Sequence, residues 1–200
     1  MPRIPANVWI MTRALLCLLC ALSFASWIEP AAAQDAAHAW SLLRQPGHVA
    51  FMRHSEAPGY ADPPGYNLED CSTQRNLVDS GRAHARRTGE AFRRNGIVFQ
   101  RVLTSPWCRC KETALLAMGR EAEVFAPLSN LIGRQQHAAE QVAALKAYLA
   151  SLDCNTRVLF VTHGIVINAL TGISPASGEM VIVRPDSAGH PVVAGRLLVE

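Results

Sequence analysis

Short apolar runs alternate along this chain with segments in which apolar residues recur every three or four positions. Apolar runs between turn or polar residues are typical of buried strands, and they predict strands at 48–52, 101–104, 122–125 and 157–162. The periodic segments predict helices at 36–45, 80–95, 138–152 and 165–170, and a terminal hairpin follows over 180–183 and 192–199. This alternation predicts an α/β fold, a three-layer sandwich whose mostly parallel central sheet carries helices on both faces.

A further helix is expected directly after the strand at 101–104. Ser105 has the side chain of an N-cap, and Pro106 suits the first helical position. Arg109 would then lie in the first turn of that helix. Residues 57–67 are rich in proline and glycine and predict a loop.

The first 33 residues have the order of a secretory signal peptide. Arg3 and Arg13 flank an uncharged apolar run over 14–28, and the alanines at 31–33 form a small-residue cleavage site. The alternative is a membrane anchor, but the run is shorter than the ~20 residues of a typical span. We therefore predict a periplasmic or secreted protein whose domain covers 34–200, without a stable membrane span after cleavage.

Composition excludes some classes of protein. Hydrophobic residues make up 50% of the 200 residues and charged residues 18%, which fits a folded domain and not a disordered chain. The formal net charge is only +3, and aromatic residues make up 6%, so nucleic acid is not an expected partner. The arginines between 82 and 94 are interpreted as a solvated helix face.

Four of the six cysteines lie beyond the predicted cleavage site: Cys71, Cys108, Cys110 and Cys154. An oxidising compartment would permit disulfides, and we expect at least one, although four cysteines allow three connectivities. Zinc is the competing interpretation. The single residue between Cys108 and Cys110 does not match the usual spacing of zinc ligands, so we expect no metal.

Three groups of polar residues follow predicted strands at the point where each strand ends. Arg53 and His54 follow the first strand, Arg109 comes shortly after the second, and His163 directly follows the strand at 157–162. Ligands of open α/β sheets bind outside the carboxyl ends of the strands, so we expect these side chains to converge.

The residue types suit a phosphoryl group, which carries about −1.5 to −2 charge at neutral pH. Arg53 and Arg109 can neutralise that charge with planar, multidentate donors. His54 offers a nitrogen nucleophile, and His163 can donate a hydrogen bond to a phosphoryl oxygen. Arg75 either reaches the rim of this site or faces solvent. Such a set requires neither a metal nor another cofactor.

These motifs resemble those of the histidine phosphatase superfamily, in its phosphoglycerate mutase-like branch. Residues 53–56 (RHSE) are similar to its Arg-His-Gly-Glu motif, 105–114 to its second motif, 161–164 to its third and 77–85 to its linking helix. The resemblance implies a phosphatase that forms a phosphohistidine on His54. Three motifs in this order, each after a strand, are far more specific than any one of them.

The chain departs from the family pattern at several places. Ser55 replaces the common glycine after the nucleophile, Val78 stands at a usual helix cap, and His84 replaces a common glutamine. Gly164 stands where the acid-phosphatase branch carries an aspartate. A leaving alkoxide needs a proton, normally from a carboxylic acid.

The motifs therefore leave the identity of the general acid unassigned. The candidates are Glu140, Glu56 and Glu179. If no acid is present, substrates with good leaving groups, such as aryl esters or phosphoramidates, would be favoured.

We therefore predict an exported, metal-independent phosphomonoesterase that acts on a phosphorylated small molecule or a glycan-linked phosphate. A narrower alternative is a lipopolysaccharide core heptose-phosphate phosphatase. Hydrolysis of protein phosphohistidine is another alternative, which export would disfavour. From a different class, the chain could be a non-catalytic phosphate-binding or interaction module on the same fold.

Overall fold

The computed structural model describes residues 31–200 of the protein. The predicted signal peptide therefore lies outside the described residues, apart from positions 31–33, which begin the first helix. Within 31–200, no helix combines the length and the apolar character needed to cross a membrane.

Helices and strands alternate over most of the described chain. The helices are α1 (Ala31–Arg44), α2 (Asp79–Arg94), α3 (Cys108–Met118), α4 (Ala138–Ala150) and α5 (Gly164–Thr171). The strands are β1 (Val49–Arg53), β2 (Arg101–Thr104), β3 (Glu123–Val124), β4 (Val158–Thr162), β5 (Met180–Pro185) and β6 (Pro191–Leu197). Short 3-10 turns cover Cys71–Thr73, Ala126–Leu128 and Gln135–His137.

The strands form one sheet in the order β3-β2-β4-β1-β5-β6. Neighbours from β3 to β1 are parallel, whereas β5 pairs antiparallel with both β1 and β6. The carboxyl ends of β1, β2 and β4 therefore meet at one edge of the sheet, as the sequence predicts.

Alternating side chains of the central strands enter two different cores. In β1, Ala50 and Met52 join the core that contains α1, α2 and α3, while Val49 and Phe51 join the core that contains α4 and α5. Phe51 stacks on Phe160 of β4 with ring centroids 4.4 Å apart. Both faces of the sheet are thus covered by helices, which confirms the predicted three-layer sandwich.

Helix α2 is held close to the chain segment that follows β1. A Cβ at position 81 would overlap the backbone carbonyl of Glu56, so the contact requires Gly81. The amide of Val78 also donates to the Glu56 carbonyl, at 3.2 Å. The buried face of α2 contains Ala85, Thr88 and Phe92, as the periodicity predicts.

The predicted helix start at Ser105 and Pro106 is wrong. Helix α3 begins at Cys108, and its N-cap is Trp107, which makes no side-chain capping hydrogen bond. The hydroxyl of Ser105 instead lies 2.8 Å from Nε2 of His163. Arg109 nevertheless lies in the first turn of α3, so the prediction made for that residue is confirmed.

Candidate active site

The ends of the parallel strands bring His54, Arg109 and His163 together. The amide of His54 donates to the carbonyl of Thr162 at 2.9 Å, which extends the pairing of β1 and β4 by one residue. The rings of His54 and His163 lie 5.4 Å apart, and Arg109 Nε lies 3.3 Å from His54 Nε2. The predicted convergence of these side chains is confirmed.

His54 is buried and presents one nitrogen to the site. Its Nδ1 lies 2.7 Å from the carbonyl oxygen of Ser55. Because a carbonyl only accepts, Nδ1 carries the proton, and Nε2 keeps its lone pair toward Arg109. Burial first, and then the nearby positive charges, Arg109 foremost, lower the pKa of His54 to about 3, although the hydrogen bond to Ser55 opposes them. The ring is therefore neutral at pH 7.

Arg109 is almost fully buried and uses both edges of its guanidinium. Its Nη1 and Nη2 donate to the two carboxylate oxygens of Asp62, at 2.8 and 3.2 Å. Its Nε and Nη2 face the two histidines, with Nη2 at 3.4 Å from His163 Nδ1. The second edge is therefore directed toward the two histidines at the base of the site.

His163 is also buried and neutral. Burial holds its pKa well below the ordinary value, and His54 and Arg109 add to the effect. Nε2 contacts the hydroxyl of Ser105, which can either donate or accept a hydrogen bond. The ring can therefore carry its proton on either nitrogen, and Nδ1 can become a donor toward an anion.

Arg53 and Arg75 form basic walls above these groups. Arg53 is half-buried and donates from Nη1 to the carbonyl of Pro175 at 3.0 Å. Arg75 donates from Nη1 to the carbonyls of Ala57 and Gly59, and it lines the same cavity as Arg53. Of the two predicted positions for Arg75, the structure places it at the site.

The cavity above His54 has a volume of about 360 Å³. Its remaining wall is mixed, with Tyr60, Ile132, Ile165 and Asn130 among its members. Among the described residues that line it, none is an aspartate or a glutamate. A phosphate ester bound there would meet positive charge and apolar surface but no carboxyl group.

The three candidate acids lie elsewhere. Glu140 is exposed in the first turn of α4, with His137 at 3.9 Å, and exposed Glu56 accepts from the Ser80 hydroxyl at 2.6 Å. Glu179 is buried, and Arg196 donates to both of its oxygens, at 2.6 and 3.0 Å. Burial alone would raise the pKa of Glu179, but the hydrogen bonds from Arg196 and the Ala176 amide lower it. Glu179 is therefore held as a carboxylate.

Two departures from the family pattern contact each other beside His54. The hydroxyl of Ser55 lies 3.3 Å from Nδ1 of His84, and Nε2 of His84 lies 2.7 Å from the carbonyl of Val199. Because that carbonyl only accepts, Nε2 is the donor and Nδ1 accepts from Ser55. The turn after His54 is thereby connected to the segment that follows β6.

Asp62 is the acidic residue of this site that sequence reasoning missed. It lies in the predicted loop over 57–67, and nothing in its spacing connects it with the motifs. Its side chain is only 3% exposed and accepts from Arg109, from Trp107 Nε1 and from the amide of Arg75. Burial would raise its pKa, but the hydrogen bonds from Arg109 and Arg75 hold the pKa below the ordinary value.

A disulfide between Cys71 and Cys108 confirms the expectation of at least one. It attaches the loop before α2 to the residue next to Arg109.

Cys110 is buried, and its Sγ lies 3.6 Å from His163 Nε2, while Cys154 is exposed. Burial raises the pKa of Cys110 to about 12, so it is a neutral thiol. The described residues contain no cluster of three or more His, Cys, Asp or Glu side chains suited to a metal.

Comparison with known families identifies the motifs. Residues 49–131 match the model of the histidine phosphatase superfamily (branch 1). This match agrees with the resemblance of the motifs to the histidine phosphatase superfamily. The matched segment includes Arg53, His54 and Arg109, and His163 follows it in the chain. A search of curated protein sequences finds no match.

Solved structures of several phosphatases share the fold. The protein histidine phosphatase SixA complexed with tungstate is 21% identical with a TM-score of 0.56, covering 76% of this chain and 96% of SixA. An Entamoeba histolytica phosphoserine phosphatase is 15% identical with a TM-score of 0.52, covering 74% and 95% of the two chains. A candidate α-ribazole-5′-phosphate phosphatase from Escherichia coli is 14% identical with a TM-score of 0.55, covering 76% and 96%. At these identities the likeness concerns the fold alone.

Proposed function

We propose that this protein is a histidine phosphatase, a metal-independent phosphomonoesterase that works through a phosphohistidine on His54. The observation that carries the proposal is the position of His54 Nε2. This nitrogen is neutral and unprotonated, and it lies 3.3 Å from Arg109 Nε at the base of a basic cavity. A nucleophile is thus held beside the donors that would bind its electrophile.

The proposed reaction has two displacements at phosphorus. In the first, the Nε2 lone pair attacks, the P–N bond forms and the P–O bond of the ester breaks with its electron pair on the leaving oxygen. In the second, a water oxygen attacks phosphorus, the P–N bond breaks and its electron pair returns to Nε2. The water loses its proton to solvent, and inorganic phosphate leaves.

The surrounding groups suit the charge on the transferred phosphoryl group. Arg53, Arg75 and Arg109 supply three positive charges, of which the Asp62 carboxylate balances one. The remaining positive charge is comparable with the −1.5 to −2 of a phosphomonoester. His163 would move its proton to Nδ1 and donate to a phosphoryl oxygen, while Ser105 donates to Nε2.

The composition of the cavity wall restricts the leaving group of the substrate. None of the described residues that line the cavity carries a carboxyl group. A leaving oxygen of high pKa would depart as an unprotonated alkoxide, which is slow. We therefore propose substrates whose leaving group needs little protonation, such as aryl phosphates, or phosphoramidates that can be protonated by solvent before cleavage.

Protein phosphohistidine is a second candidate substrate, because it is itself a phosphoramidate. One structure that shares the fold is named a protein histidine phosphatase. If the predicted signal peptide directs export, a phosphorylated small molecule with a good leaving group is the better candidate. A glycan-linked phosphate such as a lipopolysaccharide core heptose phosphate has an alkoxide leaving group, so it would be the substrate only if the leaving-group series below shows that an acid protonates that oxygen. The two proposals differ in compartment, so the location of the mature protein separates them.

The first test is turnover of para-nitrophenyl phosphate by the purified protein, with and without EDTA. We expect activity that survives EDTA and that His54→Ala abolishes, because His54 forms the covalent intermediate. His137→Ala, at a partly exposed position just before α4, is the matched control and should keep full activity. No turnover between pH 4 and 8 by the folded protein, together with measurable phosphate binding, would instead support a non-catalytic phosphate-binding module.

The second test compares leaving groups in a series of phosphate esters. We expect kcat/KM to fall steeply from nitrophenyl to phenyl to alkyl phosphates, because the site offers no carboxylic acid to the leaving oxygen. Equal rates for phenyl and alkyl esters would show that an acid does protonate the leaving group. Phosphoramidate should be cleaved more rapidly than an alkyl phosphate.

A further inference from the structure

We propose that Asp62 is the positioning residue for Arg109, the residue that aims the Nε and Nη2 edge of that guanidinium at the phosphoryl group. The inference rests on the proposed function, since it concerns how the phosphate-binding arginine is oriented. It is based on the contacts of the Arg109 guanidinium, of which one edge binds Asp62 and the other faces His54 and His163.

A guanidinium offers five N–H groups in one plane, so fixing one edge also fixes the direction of the other. Asp62 binds the Nη1 and Nη2 edge at 2.8 and 3.2 Å. The remaining edge, Nε and Nη2, faces His54 Nε2 at 3.3 Å and His163 Nδ1 at 3.4 Å. A carboxylate that holds the far edge therefore determines where the near edge points.

Asp62 is itself firmly held. Its Oδ1 accepts from the amide of Arg75 at 3.0 Å, and its Oδ2 accepts from Trp107 Nε1 at 3.0 Å. Each carboxylate oxygen thus has one partner in Arg109 and one in another part of the chain. Trp107 is fully buried, so the carboxylate has a fixed support.

These contacts also make Asp62 unsuited to act as the general acid. Both of its oxygens are occupied by N–H donors, and neither an acidic proton nor a free direction toward the leaving group remains. The side chain is absent from the cavity wall above His54. Asp62 acts on the substrate through Arg109 and does not contact the substrate.

The test is a double-mutant cycle of Asp62→Asn and Arg109→Ala, with kcat/KM for para-nitrophenyl phosphate as the readout. We expect Asp62→Asn alone to lower kcat/KM by about 10²-fold, since misplacement of a binding group by about 1 Å has an effect of that size. In the Arg109→Ala background, the same substitution should cause no further loss.

The matched control is Asp79→Asn, the same substitution in an exposed aspartate that pairs with Arg82 at 3.1 Å. This variant should keep the wild-type kcat/KM. In addition, Asp62→Asn should raise the inhibition constant of inorganic phosphate and lower the rates of nitrophenyl and alkyl esters by the same factor. A general acid would instead affect the alkyl esters most.

Three results would overturn the inference. Wild-type kcat/KM in folded Asp62→Asn would show that Arg109 is aimed without Asp62, while the proposed phosphatase function would stand. Losses that multiply in the double variant would show that Asp62 acts independently of Arg109. A wild-type protein that neither hydrolyses nor binds phosphate would remove both the function and the inference.

Asp62→Asn leaves the buried Arg109 charge without its partner, and loss of folding would obscure the result. Circular dichroism and thermal unfolding of each variant settle this point. If the variant does not fold, Asp62→Glu keeps the charge but lengthens the support by one methylene. A folded Asp62→Glu should then show about tenfold lower kcat/KM, and wild-type kcat/KM would contradict the inference.

Discussion

At the scale of single residues, the site holds two neutral histidines among three arginines. Burial and neighbouring positive charge lower the pKa of both His54 and His163. Hydrogen bonds to the Ser55 carbonyl and the Ser105 hydroxyl determine which nitrogen of each ring faces the cavity. In the proposed reaction, His54 therefore needs no base to deprotonate it.

The lowered pKa of His54 makes stability depend on pH. In the unfolded chain His54 has an ordinary pKa near 6.5. Between pH 6.5 and 3, His54 is therefore protonated in the unfolded state but neutral in the folded state. The free energy of unfolding therefore falls as the pH falls through this range. From pH 7 to 5 we expect His54 to account for a loss of about 2 kcal/mol.

Urea unfolding of wild type and His54→Gln at pH 7 and pH 5 checks this expectation. The variant should lose about 2 kcal/mol less than the wild type over that interval. His137→Gln serves as the control for losing a partly exposed histidine. Equal losses in wild type and His54→Gln would mean that folded His54 titrates as it does in the unfolded chain.

At the scale of elements, the site depends on strand ends and on one long loop. The strands β1 and β4 fix the two histidines, and the first turn of α3 fixes Arg109. The loop between β1 and α2 supplies Asp62 and Arg75. The disulfide between Cys71 and Cys108 joins that loop to α3, so both sides of the Arg109 contact are attached covalently.

Removal of this disulfide should affect both stability and activity. The cysteines are 37 positions apart, and closing a loop of that size contributes about 3 to 4 kcal/mol by the chain-entropy account. The double variant Cys71→Ala, Cys108→Ala should unfold at lower urea concentration. Its KM should rise, because the loop that carries Arg75 and Asp62 is less constrained.

The control is Cys154→Ala, which removes an exposed free cysteine. It should leave both the unfolding midpoint and KM unchanged. Treatment of wild type with dithiothreitol should reproduce the double variant. Unchanged stability in the double variant would show that packing alone holds the loop.

At the scale of the whole molecule, one sheet separates two cores and presents the candidate active site at a single edge. Helices α1, α2 and α3 cover one face, while α4 and α5 cover the other. The parallel order of β3, β2, β4 and β1 directs three strand ends to the same side. Residues more than a hundred positions apart, such as His54 and His163, meet there.

The sequence by itself determined the fold class. It also determined that four side chains follow strand ends at one edge of the sheet: Arg53, His54, Arg109 and His163. Periodicity is a local property, and each of these residues lies within a few positions of a strand end that local periodicity predicts. Helix α3 begins later than predicted, at Cys108: the Ser105 hydroxyl contacts His163, 58 positions away, and accepts only from the Trp107 amide, at 3.4 Å, before the helix begins.

Only the tertiary structure decided the partners of these residues. The pairing of Cys71 with Cys108, the position of Arg75 and the role of Asp62 all depend on the path of the loop over the sheet edge. That path is set by long-range contacts, such as Trp107 with Asp62 at 45 positions' separation, which leave no periodic signal in the sequence. For the same reason, Glu140, Glu56 and Glu179 could be excluded from the cavity wall only once the chain was folded.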